Sequence, residues 1–176
     1  MNENVVDLVG LLRSEVEALM GELGEPAYRG RQLFHWVQAR RTRDVNAMSS
    51  LPRGVRAVLV EHVGVSRPEV SRVQRSLDGT RKYLFRLEDG EEIESVLIPD
   101  DGRLTTCIST QAGCPLACRF CLTGLMGLRR NLRAAEIVGQ ILALQDRLEQ
   151  GERISNIVLM GMGEPLLNFT QVERAL

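Results

Sequence analysis

No stretch of this 176-residue chain is apolar over the roughly 20 residues that a membrane-spanning helix requires. The first ten residues, MNENVVDLVG, lack the basic stretch, apolar core and small-residue cleavage site of a secretory signal. Together these absences give the expectation of a cytoplasmic protein. Cysteine is missing from all but one short window, since Cys107, Cys114, Cys118 and Cys121 fall within 15 residues. A disulfide framework would scatter its cysteines, so thiols grouped in this way point instead to metal in a reducing compartment. Net charge is nearly absent as well, at −1, which excludes an overall electrostatic pull toward nucleic acid. Lysine occurs once, at Lys82, and almost all positive charge is arginine. No internal repeat or low-complexity segment is visible. What is present is 44% hydrophobic and 26% charged, an ordinary globular composition with room for one domain or two small ones.

Residues 1–75 read as a helical domain. Leu8, Leu11, Leu12, Val16, Leu19 and Met20 recur at spacings of three and four, the pattern of an amphipathic helix that Gly24 and Pro26 interrupt. A second helix is expected over Arg31–Arg40. A third is expected over Arg53–Val63, after a start signal in which a serine of Ser49–Ser50 caps and Pro52 sits early. Residues 76–100 read as a β-hairpin linker, with Lys82–Leu87 and Glu92–Ile98 joined through Asp89–Gly90 and closed off by Pro99, Asp100 and Gly102. From residue 101 a strand–helix–strand pattern begins, the start of an α/β domain. Leu104–Thr110 is a short strand and Arg133–Gln150 a helix buried through Ala134, Ile137, Val138, Ile141, Leu142 and Leu144. Ile154–Met160 is an apolar strand of the kind a parallel sheet buries on both faces.

The chemistry concentrates in Cys114-x3-Cys118-x2-Cys121. Three thiolates on one loop can hold three irons of a [4Fe–4S] cluster and leave the fourth iron open to a substrate. Two other readings stay open, tetrahedral zinc with Cys107 as the fourth ligand and thiols that bind nothing. Gly161–Met162–Gly163–Glu164–Pro165 follows a strand, where parallel sheets gather their ligands. Alone it is more often a turn than a site. Between Pro26 and Arg43 lie five arginines, no acid, and Tyr28, Phe34, His35 and Trp36. Such a segment suits RNA, through phosphate contacts and stacking, and equally suits a solvated helix face.

The run from Cys107 through Gln111 and Gly113 to Cys114, with Cys118–Arg119–Phe120–Cys121, Thr123–Gly124, Arg130–Asn131–Leu132–Arg133 and Glu136–Ile137, resembles the RlmN/Cfr family. Asn156–Val158 and Met160–Asn168 continue the likeness. Upstream, Tyr28-Arg29-x-Arg31-Gln32-x-Phe34-x-Trp36 and Met48-x-x-Leu51-Pro52 are similar to that family's small RNA-binding domain. The resemblance implies radical S-adenosylmethionine (SAM) enzymes that methylate C2, or in one branch C8, of adenosine in 23S rRNA, the C2 branch also acting on tRNA. It implies a fold too, a partial (β/α) barrel of the TIM-like kind behind the helical domain and hairpin. Its cofactors would be a [4Fe–4S] cluster on Cys114, Cys118 and Cys121, and SAM at Gly163 and Glu164, with a reductant such as flavodoxin.

Two catalytic roles follow from the resemblance alone. Glu94 matches the acceptor of the adenine proton, and Cys107 matches the cysteine that releases product through a transient disulfide. Glu94 shares a strand face with Val96 and Ile98, where burial would suit it to base chemistry, although on the residues alone an ordinary hairpin acid beside Glu91 and Glu92 fits better. The family's methyl-carrying cysteine and its later strands have no counterpart in these residues. The expectation is therefore a partial chain, inactive by itself, whose alternative role is an RNA-binding module without catalysis.

Overall fold

The computed structural model describes residues 5–176 and divides into two units, one ending at Ser66 and the other starting at Arg67. The first unit is a set of three helices closed by a short parallel strand pair. Strand β1 (Val6–Asp7) lies beside β2 (Val63–Gly64), and between them run α1 (Arg13–Glu22), α2 (Ala27–Gln38) and α3 (Arg53–His62). The helical period expected from Leu8 onward begins later. Leu8 to Gly10 form a 3-10 turn capped by the Asp7 carboxylate, which accepts from Val9 N at 3.1 Å. The Glu15 carboxylate accepts from Leu12 N at 2.7 Å and so starts α1. At Gly30 the helices α1 and α2 meet backbone to backbone, because a Cβ there would lie 2.5 Å from Glu17 Cα. Val16, Met20, Leu33, Val37, Met48, Leu51 and Leu59 fill the core. Ser50 does not cap α3 as expected. Its hydroxyl accepts from Trp36 Nε1 at 2.7 Å, and its carbonyl from Arg29.

The second unit is built on a five-stranded sheet. Strands β3 (Glu69–Arg75), β4 (Arg81–Arg86), β5 (Glu92–Asp100) and β6 (Arg103–Cys107) form an antiparallel meander. Each of its turns holds an Asp-Gly pair, Asp78–Gly79, Asp89–Gly90 and Asp101–Gly102, with the three glycines at φ of +84, +86 and +76°. The hairpin expected as a linker is thus the middle of a continuous sheet, and the helical unit stops at residue 66 rather than 75. Pro99 and Asp100 do not close the hairpin; they end β5 and pair with Leu104 and Arg103, and Asp101–Gly102 form the next turn.

After β6 come β7 (Gln111–Gly113), α4 (Leu122–Met126), β8 (Leu128–Asn131) and α5 (Ala134–Gln145). Then follow β9 (Asn156–Val158), parallel to β6, and α6 (Phe169–Ala175). Helix α5 covers one face of the sheet. Tyr83, Phe85, Ile93, Leu97 and Leu104 share a buried cluster there with Ile137, Ala143 and Leu144. Helix α5 ends at Gln145, short of the expected Gln150. Strand β9 is three residues long and is not buried on both faces, since Ile157 is 47% exposed. It stands at the end of the strand order, with β6 on one side only among the described residues. Among the described residues no helix is long and apolar enough to cross a membrane.

Candidate functional site

The three cysteines of the triple motif stand on a firm base. Strands β7 and β8 pair antiparallel, Gln111 against Asn131 and Gly113 against Leu128, and Cys114 N donates to Gly127 O at 3.1 Å. The intervening loop turns tightly, with Cys121 N on Cys118 O at 3.0 Å and Gly124 N on Cys121 O at 3.2 Å. Cys114 is buried, while Cys118 and Cys121 are partly exposed. The Gly124 N–H, and then the Thr123 N–H and hydroxyl, hold the Cys121 thiol below its ordinary pKa against the opposing effect of desolvation. Among the described residues no three His, Cys, Asp or Glu side chains converge as ligands of one ion. The fit to an iron–sulfur cluster therefore lies in the donor set, three thiols on one loop with N–H donors turned toward a sulfur.

The Gly161–Pro165 segment runs directly against residues 108–111. Gly161 N donates to Ile108 O at 3.1 Å, and Thr110 N and Gln111 N both donate to Met162 O, at 2.9 and 3.2 Å. A Cβ on Gly161 would lie 2.7 Å from Ile108 backbone atoms. One on Gly163, whose φ is +97°, would lie 2.5 Å from Gln111 Cβ. Both glycines are required by this contact before any ligand is considered. Glu164 is half-buried. Its N–H donates to Gln111 Oε1 at 2.9 Å, and its own Oε1 accepts from Leu166 N at 3.1 Å. The structure thus brings Gly163 and Glu164 against the strand that leads into the cysteine loop.

Glu94 and Cys107 lie together on the sheet face that α5 leaves open. Val96 pairs with Cys107 and Leu84 with Glu94, so Lys82, Leu84, Glu94, Val96, Thr105 and Cys107 all project to that side. The burial expected around Glu94 is not there. The buried residues of β5 are Ile93, Ser95 and Leu97, one position out of phase, and Glu94 is 41% exposed with Lys82 Nζ 2.9 Å from its Oε1. Cys107 is half-buried. Burial pushes its thiol above the ordinary value, and the Met160 N–H opposes this only in part. All four cysteines are free, and the structure holds no disulfide at Cys107.

A set of buried polar residues tying these pieces together escaped the sequence reading. Gln140 Oε1 on α5 accepts from the Ser95 hydroxyl at 2.8 Å and from Ser109 N at 2.9 Å, and its Nε2 donates to Ser109 O at 2.9 Å. The Ser109 hydroxyl donates to Glu94 O at 2.6 Å and accepts from Met162 N at 2.9 Å. Asn168 Nδ2 donates to Thr110 O and Leu132 O, both at 2.8 Å. The available signal was a polar run, Ser109–Thr110–Gln111, between buried Ile108 and Ala112, with one amide among the apolar positions of α5. Each such group costs about 1–3 kcal/mol if buried without a partner, which the bonds of Gln140, Ser109 and Asn168 avoid, while the buried Thr110 hydroxyl in the same run has no partner.

In the helical unit, α2 presents an open groove of about 440 Å³ lined by Tyr28, Arg31, Gln32, His35, Trp36 and Arg40. The Arg29 guanidinium lies 4.7 Å over the Tyr28 ring and that of Arg40 lies 4.8 Å over Trp36. Phe34 and Trp36 are only partly buried, so the segment is neither wholly core nor wholly surface.

Comparison with known proteins agrees with both units. Residues 6–65 match the family model described as the ribosomal RNA large subunit methyltransferase N-terminal domain. A protein of Rhodospirillum rubrum named dual-specificity RNA methyltransferase RlmN is 50% identical over 99% of this chain and 42% of its own length. One of that name from Syntrophus aciditrophicus is 46% identical over 100% of this chain and 51% of its own. The crystal structure of a radical SAM methyltransferase from Sphaerobacter thermophilus superposes with a TM-score of 0.87 at 41% identity, covering 97% of this chain and 50% of that one. The chain is thus similar over nearly its whole length to proteins named dual-specificity RNA methyltransferase RlmN, and it spans about half the length of the curated relatives it matches.

Proposed function

We propose that this chain serves a radical SAM RNA methyltransferase acting on C2 of adenine in 23S rRNA and tRNA. The observation that carries the reading is the junction at β7. The strand that enters the three-cysteine loop is the one against which Gly163 and Glu164 are held. Cys114, Cys118 and Cys121 would hold a [4Fe–4S] cluster, which supplies the electron that cleaves SAM. Gly163 lets the segment lie flat against Gln111 at the strand end, and the half-buried Glu164 carboxylate accepts hydrogen bonds from the ammonium group of SAM. Glu94, on the open face of the sheet, takes the proton leaving the adenine ring, and Lys82 holds that carboxylate in place. Cys107, beside Val96 on the next strand, is the thiol assigned to product release.

The α2 groove takes the RNA, its arginines meeting phosphates and its rings available for stacking. A reductant such as flavodoxin supplies the electron. The names carried by relatives, radical SAM and RNA methyltransferase, agree with this assignment at the level of the class. Metal analysis tests it. Anaerobic treatment with iron and sulfide is expected to load about four of each per chain, and Cys118→Ala to lose them. Tight zinc without sulfide would contradict the reading.

A further inference from the structure

Gln111 joins the two parts of the proposed cofactor site through a single planar amide. It opens β7, three residues before Cys114, and is 1% exposed. Its Oε1 accepts from Glu164 N at 2.9 Å, and its Nε2 donates to Asn131 Oδ1 at 2.7 Å. Its backbone N–H donates to Met162 O at 3.2 Å, so main chain and side chain grip residues 162–164 from both directions. Gly163 lies flat against it, where any Cβ would come within 2.5 Å of Gln111 Cβ. The Glu164 N–H, which can only donate, fixes which end of the amide is oxygen, and Asn131 on the paired strand β8 takes the other end. An apolar side chain of the same size would fill the space, yet it would leave the Glu164 N–H without this acceptor.

Resting on the SAM reading above, we propose that Gln111 is a positioning residue. It sets the Gly163–Glu164 peptide, and with it the Glu164 carboxylate, at a fixed place relative to the cysteine loop. The chain need not order this segment when SAM binds, and affinity gains accordingly. Gln111 itself touches neither cluster nor reacting atoms in this assignment.

The test uses the whole chain, reconstituted anaerobically and reduced, with SAM titrated against the electron paramagnetic resonance spectrum of the cluster. Gln111→Ala is expected to raise the half-saturating SAM concentration about tenfold at unchanged iron content. Gln111→Glu keeps an acceptor for the Glu164 N–H while the Asn131 amide turns to donate. It is expected to return within about threefold of the parent. Asn131→Ala, at an exposed position, frees the amide to rotate and should weaken SAM several-fold. Parental half-saturation in Gln111→Ala overturns the proposal and leaves the SAM reading standing. If Gln111→Ala loses iron or fails to fold, Asn131→Ala decides, and parental half-saturation there overturns the proposal. A parent spectrum blind to SAM removes both the reading and the inference built on it.

Discussion

At Gly163 one hydrogen atom stands where any other residue would drive a Cβ into Gln111, on a backbone at φ +97°. Gly163→Ala is therefore expected to destabilise the second unit by about 2–3 kcal/mol, read as a lowered midpoint in thermal or denaturant unfolding. A midpoint equal to the parent would mean that the contact relaxes freely. In the sequence this segment reads as a turn or a ligand site, whereas the atoms nearest a Cβ at Gly163 belong to the chain itself. Glu94 shows a different limit. Its alternation with Val96 and Ile98 was read correctly as one face, yet the neighbouring Ile93, Ser95 and Leu97 form the buried side. Alternation identifies two faces, and only the packing of α5 decides which is covered.

The element most dependent on charge is the start of α5. Glu136 is 8% exposed, accepts from Arg133 N at 2.8 Å, and meets Arg130 at 2.8 and 2.9 Å and Arg133 at 3.2 Å. Burial opposes its charge, but the bonds from Arg130 and Arg133 prevail and hold its carboxyl below the usual carboxylate range. Arg130 also reaches Asp89 in the β4–β5 turn, whose carboxyl it lowers in the same direction. A carboxyl depressed by folding contributes stability above the ordinary glutamate value and loses it as pH falls through the folded one. Stability should thus decline on acidification below about pH 4.3. Glu136→Gln should flatten that decline and cost about 2 kcal/mol at neutral pH, measured by denaturant titration across pH.

The elements themselves were unequally legible. The Asp89–Gly90 hairpin and the helices with a clear apolar period were readable. Turns Asp78–Gly79 and Asp101–Gly102 carry the same pair, but β3 on one side of the first is a solvated edge strand without apolar alternation. Its true partner was for that reason assigned to a linker.

For the molecule as a whole, the boundary between units falls at Ser66 because β3 belongs to the sheet, a pairing that local pattern cannot reveal. The likeness to the RlmN family extends across both units, which a motif confined to the cysteine loop could not have established. The RNA assignment rests on the helical unit. Replacing Arg31 and Arg40 together by alanine should weaken RNA binding across sequences and reduce the slope of log affinity against log salt by about 1.5. An unchanged slope would move the RNA contact elsewhere.

The central claim is that the three-cysteine loop holds a cluster with an iron open to SAM. An electron paramagnetic resonance spectrum of the anaerobically reconstituted, reduced chain tests it directly. The account predicts a [4Fe–4S] signal that shifts when SAM is added. No cluster signal, or one indifferent to SAM, would contradict it.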